Sequence, residues 1–591
     1  MTGPVPILGE ENVRKAARIR TRIVVCGLMI WAAGIVVRLI QLQIFSHGKA
    51  NELVIFQNQV EVKIFPERGS IFDRDGRIFA QSVPSPSVFY SPAAGENPAP
   101  MMESVKKLLP VLGLTQADVA RIRSEVGKGN KFVWIKRKVD EETAARVKTL
   151  GLNGISSLEE PRRIYPQGRA AAHVLGAVDI DNKGQAGVEL RYNTALRGEQ
   201  GTQIIFRDAQ KRDYHVEQLR APERGRDIFL TLDATIQYIA QREIEKAVAD
   251  NQAGWGVVII SEPETGEILA MASAPSYDPN RFPSADREGL YERAIRTQIE
   301  PGSTFKIVTA AAALENRRVA TYETFDCRAE AIDVAGGPIR DHKPFGILTF
   351  SGVIAESSNI GTIQIGRRIG SDLLYKAIKD FGFGERTGID LPAEIRGSIR
   401  SPQEWTRRSL DSLSVGYEIA VTPLQILQAA NIVANRGVLI PPRIVRTVDG
   451  RPVRSAEDEA APARIISAQT AEKLIDILER VVLDGTGTAA AIPGYSVAGK
   501  TGTSQIYDPA ARAYSISRHT ASFVGFVPAD KPTLSMIVVL NEPKTSAYYG
   551  GQVAAPVFRE IALRVLRYRH VFPSSDGRAI LAAAAPKESR R

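Results

Sequence analysis

Cysteine is nearly absent: 591 residues contain two, Cys26 and Cys327. Cys26 falls in an apolar N-terminal segment, so no intrachain disulfide is expected. Histidine is scarce as well. The six histidines are scattered without metal-ligand spacing, which argues against a zinc hydrolase and predicts a chain that needs neither metal nor cofactor. A large excess of one charge is missing too. Lys and Arg number 76 against 66 Asp and Glu, a formal net charge of +10 that is modest for this length. Internal repeats are not found, and only one apolar run is long. The remaining composition, 44% hydrophobic and 24% charged, is that of ordinary globular protein, and the length calls for more than one folded unit.

The single long apolar run starts at Ile23, is uninterrupted to Val37, and resumes after Arg38 through Leu42. It is long enough to cross a bilayer if Arg38 snorkels to the interface. Arg14, Lys15, Arg18, Arg20 and Arg22 crowd its N-terminal flank, which places the short tail in the cytoplasm and the rest of the chain outside the membrane. No small-x-small cleavage site follows the apolar core, since Ala32-Ala33-Gly34 lies within it, so a retained anchor is read over a cleaved signal peptide. Export argues against nucleic acid as a partner. The mild positive charge fits anionic lipid or an anionic cell-wall polymer instead.

Beyond the anchor, Ser104–Leu109 and Glu141–Leu150 have helical spacing, Lys131–Ile135 reads as a strand, and Arg68–Arg77 alternates into an Asp-Gly hairpin turn. Glu223-Arg224-Gly225-Arg226-Asp227 marks a polar boundary. After it, Ile228–Leu232 reads as a strand, Ala234–Asp250 as an amphipathic helix, and Gly256–Ile260 with Ile268–Ser273 as a hairpin. Near the end, Ala521–Val527 and Leu534–Leu540 read as paired strands, and Ala555–Tyr568 as a closing helix. An antiparallel sheet packed with helices follows from this α+β pattern. Ser574–Arg591 reads as a mobile tail.

The most informative stretch is Glu300-Pro301-Gly302-Ser303-Thr304-Phe305-Lys306, followed by a breaker-free, Ala-rich run. Ser303 should therefore lie at the first turn of a buried helix, with Lys306 on the same face. A serine needs a neighbouring base to act as nucleophile, and lysine serves when burial or nearby cations remove its proton. Free N–H groups at a helix start would stabilise the oxyanion of acyl transfer. Ser-x-x-Lys alone is weak, being more often a helix cap beside a solvated lysine. Two further segments follow in order: Ser357-Ser358-Asn359, and Lys500-Thr501-Gly502-Thr503 after the strand-like start Tyr495–Ala498.

With these three motifs the chain resembles a class B penicillin-binding protein, and within that class the cell-division (septal) peptidoglycan D,D-transpeptidase. The resemblance runs from the anchor to about Tyr568. It includes Arg68–Arg74, Arg162–Pro166 and Gly187-Val188-Glu189, and Ser414–Gln425 is similar to the division-type enzymes. It implies a cytoplasmic tail (1–22), a transmembrane anchor (23–45), an elongated mixed α/β pedestal for dimerisation or partners (46–222), a serine β-lactamase-like transpeptidase domain (223–570) and a flexible tail (571–591). Glycosyltransferase motifs are not found, so a membrane-embedded, lipid-linked glycan polymerase and other division proteins are the implied partners. Peptidoglycan stem peptides are the implied substrate and β-lactams the implied inhibitors.

The resemblance assigns Ser303 as acyl-enzyme nucleophile, Lys306 as base with its pKa depressed by Lys500, and Ser357 as proton relay. Asn359 would hold the substrate amide. Lys500, Thr501, Gly502 and Thr503 would form the docking edge, with the Ser303 and Thr503 N–H groups as oxyanion hole. The middle motif reads Ser-Ser-Asn where β-lactamases have Ser-Asp-Asn, and its plainer reading is a helix cap. Arg68 and Asp73 are expected to pair across a turn, and Asp341-His342 to be an exposed loop pair. Trp405 and Tyr417 are expected in the core rather than the cleft, and Tyr548–Gly551 is a candidate cleft lip. Competing readings are an elongation-type class B enzyme, a D,D-carboxypeptidase or β-lactamase, and a β-lactam sensor.

Overall fold

The computed structural model describes residues 10–41, 43, 59–91, 99–128, 130, 132–207, 213–284, 286–453, 462–508, 510–511 and 513–573. The expected mobile tail at Ser574–Arg591 and the first residue of the Lys131–Ile135 strand lie outside these. Helix α1 (Glu10–Ile40) carries the apolar run as far as Ile40 and begins ahead of the basic flank. Its segment Arg14–Ile40, 27 residues, is the one helix among the described residues long and apolar enough to cross a membrane.

The first unit after α1 is built on a mixed sheet. Strand β1 (Ile71–Phe72) turns through Asp75-Gly76 into the long β2 (Ile78–Tyr90), as the hairpin signal predicts. Helix α2 (Ala99–Leu112), strand β3 (Val133–Lys136), helix α3 (Glu141–Thr149) and strand β4 (Ile155–Ile164) follow, and both strands pair antiparallel with β2. Strand β5 (Ile228–Leu230) lies just past the polar segment 223–227 and pairs in parallel with β1, so the sheet runs across that segment.

The second unit is a helix–sheet–helix sandwich. Helix α4 (Ala234–Asp250), strand β6 (Trp255–Ser261) and strand β7 (Ile268–Ala274) occupy the predicted positions. Helices α5 (Lys306–Glu315), α6 (Asn359–Ile369), α7 (Pro423–Ala434) and α8 (Ala468–Leu483) come next. Strands β8 (Ala498–Asp508), β9 (Ala513–Val527) and β10 (Leu534–Asn541) and helix α9 (Ala555–Tyr568) close the unit. The sheet order is β7-β6-β10-β9-β8, antiparallel throughout, which leaves β8 at an edge.

Period-two alternation sends successive side chains to opposite faces, and both faces are covered. Val257, Ile259, Ile537 and Val539 join the core holding α5, α7 and α8. Val258, Ile260, Val538 and Leu540 join the core under α4 and α9. On α9 the buried residues Phe558, Ile561, Ala562, Val565 and Leu566 follow the 3.6-residue period, so one stripe seals the sheet. Helix α5 differs: Lys306 through Leu314 are all buried, so this helix threads the core rather than lying on it.

In the pedestal the expected Arg68–Asp73 pair does not form. Arg68 is 1% exposed, and its Nε donates to Glu189 Oε2 at 2.5 Å, while Arg163 Nε donates to Glu189 Oε1 at 2.7 Å. The three segments that carried the pedestal resemblance thus meet in one buried ion triad. Burial would push the Glu189 carboxyl up, but the charges of Arg163 and Arg68 outweigh it and hold the pKa below the usual carboxylate range. Asp73 instead accepts the backbone N–H groups of Asp75 and Arg77, both at 2.8 Å, which shapes the hairpin turn. The turn occupies Asp73 Oδ1, Oδ2 accepts Ala234 N at 3.2 Å from the start of α4, and the fold brings a different anion to Arg68.

Candidate active site

Ser303 sits in a 3-10 turn, Gly302–Phe305, that leads directly into α5, as the Pro-Gly stop and Ala-rich run predict. The turn is wedged between two glycine contacts. On one side Gly302 N donates to Gly416 O at 3.1 Å. On the other, a Cβ on Gly502 would lie 2.8 Å from Thr304 Cγ2 and 3.1 Å from Pro301 O, so only glycine lets the edge strand β8 approach so closely. The first and third motifs are thereby packed against each other.

The second motif completes the convergence. Lys306 and Lys500 are both 0% exposed. Lys500 Nζ donates to Ser357 Oγ at 2.9 Å, and Lys306 Nζ donates to the same Oγ at 3.3 Å and to Ser357 O at 2.7 Å. Lys306 also donates to Asn359 Oδ1 at 2.8 Å, while Asn359 Nδ2 donates to Arg340 O at 2.9 Å. The bonds of Lys306 thus go to the second motif and not to the Ser303 hydroxyl that the i,i+3 spacing offers. Ser358 caps α6, its Oγ accepting Gly361 N at 3.0 Å, so the helix-cap reading holds for Ser358 while Ser357 faces the lysines.

Burial is what pushes the Lys306 ammonium down to about 7, and the Asp341 charge opposes it. This corrects the expectation that Lys500 depresses Lys306. Lys500 is pushed well below the lysine range by burial first and then by the Lys306 charge. Two ammoniums on one hydroxyl in a dry site cannot both stay charged, so the pair titrates as one unit.

Thr501, Gly502 and Thr503 lie opposite Phe523, Ser522 and Ala521 on β9, so the other side of β8 is free to pair. Thr501 Oγ1 bonds Thr486 Oγ1 at 2.7 Å, and Thr503 Oγ1 accepts Gly550 N at 3.0 Å. The Tyr548–Gly551 segment therefore abuts the third motif, with Tyr548 stacked on His519 at 4.3 Å between ring centroids. Trp405 packs edge-to-face on Tyr375 and donates to Arg400 O, away from the motifs. Half-buried Tyr417 packs on Tyr514.

Two residues escaped sequence reasoning. Asp341 is not an exposed loop residue: its Oδ2 accepts Ser358 Oγ at 2.7 Å, and its Oδ1 accepts the N–H groups of Asn359 and Ile360. His342 does stay exposed. Glu300, three residues before Ser303, accepts Tyr514 OH at 2.8 Å and Glu418 N at 3.0 Å, and burial pushes its carboxyl up to about 7. The signal for Asp341 was its place on the approach to the second motif; for Glu300 it was its place in the first.

Residues 256–563 match the family model described as "Penicillin binding protein transpeptidase domain", and residues 63–230 the "Penicillin-binding Protein dimerisation domain". The chain belongs to the class B penicillin-binding proteins. Among curated relatives of this family, "Probable peptidoglycan D,D-transpeptidase PenA" of Neisseria meningitidis is 34% identical over 98% of this chain and 97% of its own. "Peptidoglycan D,D-transpeptidase FtsI" of Escherichia coli is 31% identical over 87% of this chain and 85% of its own. A solved structure, penicillin binding protein 3 of Mycobacterium tuberculosis complexed with aztreonam, is 27% identical with a TM-score of 0.66, covering 87% of this chain and 98% of that one.

Proposed function

We propose that the protein is a membrane-anchored serine D,D-transpeptidase that cross-links peptidoglycan stem peptides during septum formation and is covalently inhibited by β-lactams. The observation that carries this reading is the meeting of Lys306 and Lys500 on Ser357 at the head of the helix that Ser303 leads. Ser303 Oγ attacks the carbonyl carbon between the two terminal D-alanines, and its proton passes to neutral Lys306. The C–N bond breaks, Ser357 delivers the proton to the departing D-alanine amine, and an ester to Ser303 remains. An amine of a neighbouring stem peptide then attacks the ester carbonyl, forms the cross-link amide and returns the serine hydroxyl.

Position supports the remaining roles. The Ser303 and Thr503 N–H groups form the oxyanion hole, Asn359 holds the substrate amide, and the edge formed by Lys500, Thr501, Gly502 and Thr503 docks the extended peptide. A substrate carboxylate beside Lys500 and the Thr501 and Thr503 hydroxyls keeps the shared proton on Lys500, which leaves Lys306 free to act as base.

The domain plan follows the same reading: tail 1–22, anchor 23–45, pedestal 46–222, catalytic domain 223–570, tail 571–591. The anchor crosses the bacterial inner membrane once, with the basic flank in the cytoplasm and the catalytic domain in the periplasm at the division site. The pedestal meets a lipid-linked glycan polymerase and other division proteins.

The test is labelling with a fluorescent penicillin. Ser303→Ala abolishes the covalent label while the protein stays folded, and undiminished labelling of that variant rules out Ser303 as nucleophile. A fluorescent fusion concentrated at mid-cell checks the septal role, and one spread along the lateral wall refutes it.

A further inference from the structure

Ser357 holds its backbone at φ 59°, a left-handed conformation that costs a non-glycine residue about 1–2 kcal/mol. Such strain persists only where neighbours over-determine the turn. Here the flanking bonds are visible: Ser357 N donates to Ile354 O at 3.2 Å and Ser358 N to Val353 O at 2.9 Å. The next three residues are all held by one side chain. Asp341 accepts Ser358 Oγ, Asn359 N and Ile360 N, three donors at the first turn of α6. Its neighbour Arg340 presents the carbonyl that takes Asn359 Nδ2. The Asn359 amide is thus fixed from both ends, and its Oδ1 is aimed at Lys306.

We propose that Asp341 is a positioning residue for acylation: it locks the Ser357–Asn359 turn beneath Lys306 and supplies the negative charge that faces Lys306. This deepens the acyl-enzyme reading and rests on it. The charged and titratable groups around Asp341 come from several elements. Lys306 of α5 feels its charge directly, and Lys500 of β8 lies behind the same serine. Cys327 and Asp326 approach from the strand Thr324–Asp326 and its end, with Ser358 Oγ 3.5 Å from Cys327 Sγ. His342 and Lys343 flank Asp341 on its own loop, and Lys343 pairs with Glu356 at 2.8 Å. Arg340 faces Glu330 at 3.7 Å. Among these, Asp341 is the carboxylate bonded to the motif itself.

Its two contributions separate by substitution. In Asp341→Asn the remaining carbonyl oxygen still accepts the Asn359 and Ile360 N–H groups. The new Nδ2 donates to Ser358 Oγ, whose proton then turns to Cys327 Sγ. The lock survives and the charge is gone. Asp341→Ala loses both. Removing the anion favours neutral Lys306, so the acid limb of the acylation profile moves toward lower pH.

The experiment follows the second-order acylation rate of detergent-solubilised full-length protein with a fluorescent penicillin, from about pH 5 to about pH 9. Asp341→Asn is expected to keep the alkaline plateau within about threefold and to shift the acid limb down by roughly half to one pH unit. Asp341→Ala is expected to acylate at least about tenfold more slowly across the range. An unmoved or upward-moved limb in Asp341→Asn overturns the proposal, as does wild-type acylation by Asp341→Ala. If Asp341→Ala does not fold, the limb of Asp341→Asn decides alone. Wild-type protein that takes no label sinks the acyl-enzyme reading instead, and a label lost only with Ser303→Ala leaves that reading intact whatever Asp341 does.

Discussion

Replacing Gly416 with alanine should disable the nucleophile without touching a catalytic group. Gly416 has φ 88°, and a Cβ there would lie 2.0 Å from Gly302 O and 2.7 Å from Gly302 C. Gly302 itself has φ 52° and donates its N–H to Gly416 O, so the two backbones are interlocked one residue before Ser303. The atom in the way is a main-chain carbonyl, which no side-chain rotation can move. The left-handed backbone and the overpacking together cost about 2–5 kcal/mol. Relief requires Gly302 to retreat by roughly 1 Å, and a shift of that size at a reacting centre costs on the order of a hundredfold in rate. The assay pairs a urea unfolding curve with the acylation rate by a fluorescent penicillin, measured where the variant is fully folded. Acylation should fall far more than the folded fraction does. A Gly416→Ala protein with the wild-type rate and midpoint would refute the claim that this contact places Ser303.

Other consequences are equally direct. As the proposed base, Lys306 must be neutral to accept a proton, and with burial pushing it down to about 7, acylation should fall about tenfold per pH unit below that value and level off above it. A rate that is flat between about pH 5 and pH 8 excludes Lys306 as the base. Glu189→Gln leaves two buried guanidiniums with no anion, so urea unfolding should show a loss of about 3–5 kcal/mol, and an unchanged midpoint contradicts the triad. Gly502→Ala drives a methyl group to 2.4 Å from Ser522 Oγ and into Thr304, and should slow acylation while leaving the pedestal intact; a wild-type rate argues that the edge strand is not gauged to the Ser303 turn.

How much of this could be read from the chain depends on how local each cause is. Helix α9 and strands β6, β7 and β10 were legible because their periodicity repeats over a whole element and both sheet faces are apolar. The three motifs were legible as words, while the meeting of Lys306 and Lys500 on Ser357 is a product of the fold. What was not legible depends on partners remote in sequence. Arg68 was matched with nearby Asp73, whereas its anion, Glu189, arrives from a segment 121 residues away. Asp341 and His342 looked alike as polar neighbours, and only the packing of α6 makes one a fixed acceptor and leaves the other in solvent. The cause of the Lys306 shift is a property of depth, which no spacing of lysines encodes.

Helix α5 has consequences for control. A helix surrounded by core on every side cannot slide or rotate without unpacking the domain, so Lys306 at its head is a fixed anvil beside the Ser303 turn. Any switch between idle and working enzyme must then act on the parts that can yield: the free margin of β8 or the Tyr548–Gly551 segment leaning on it. An activating partner would adjust the jaws and leave the anvil where it is.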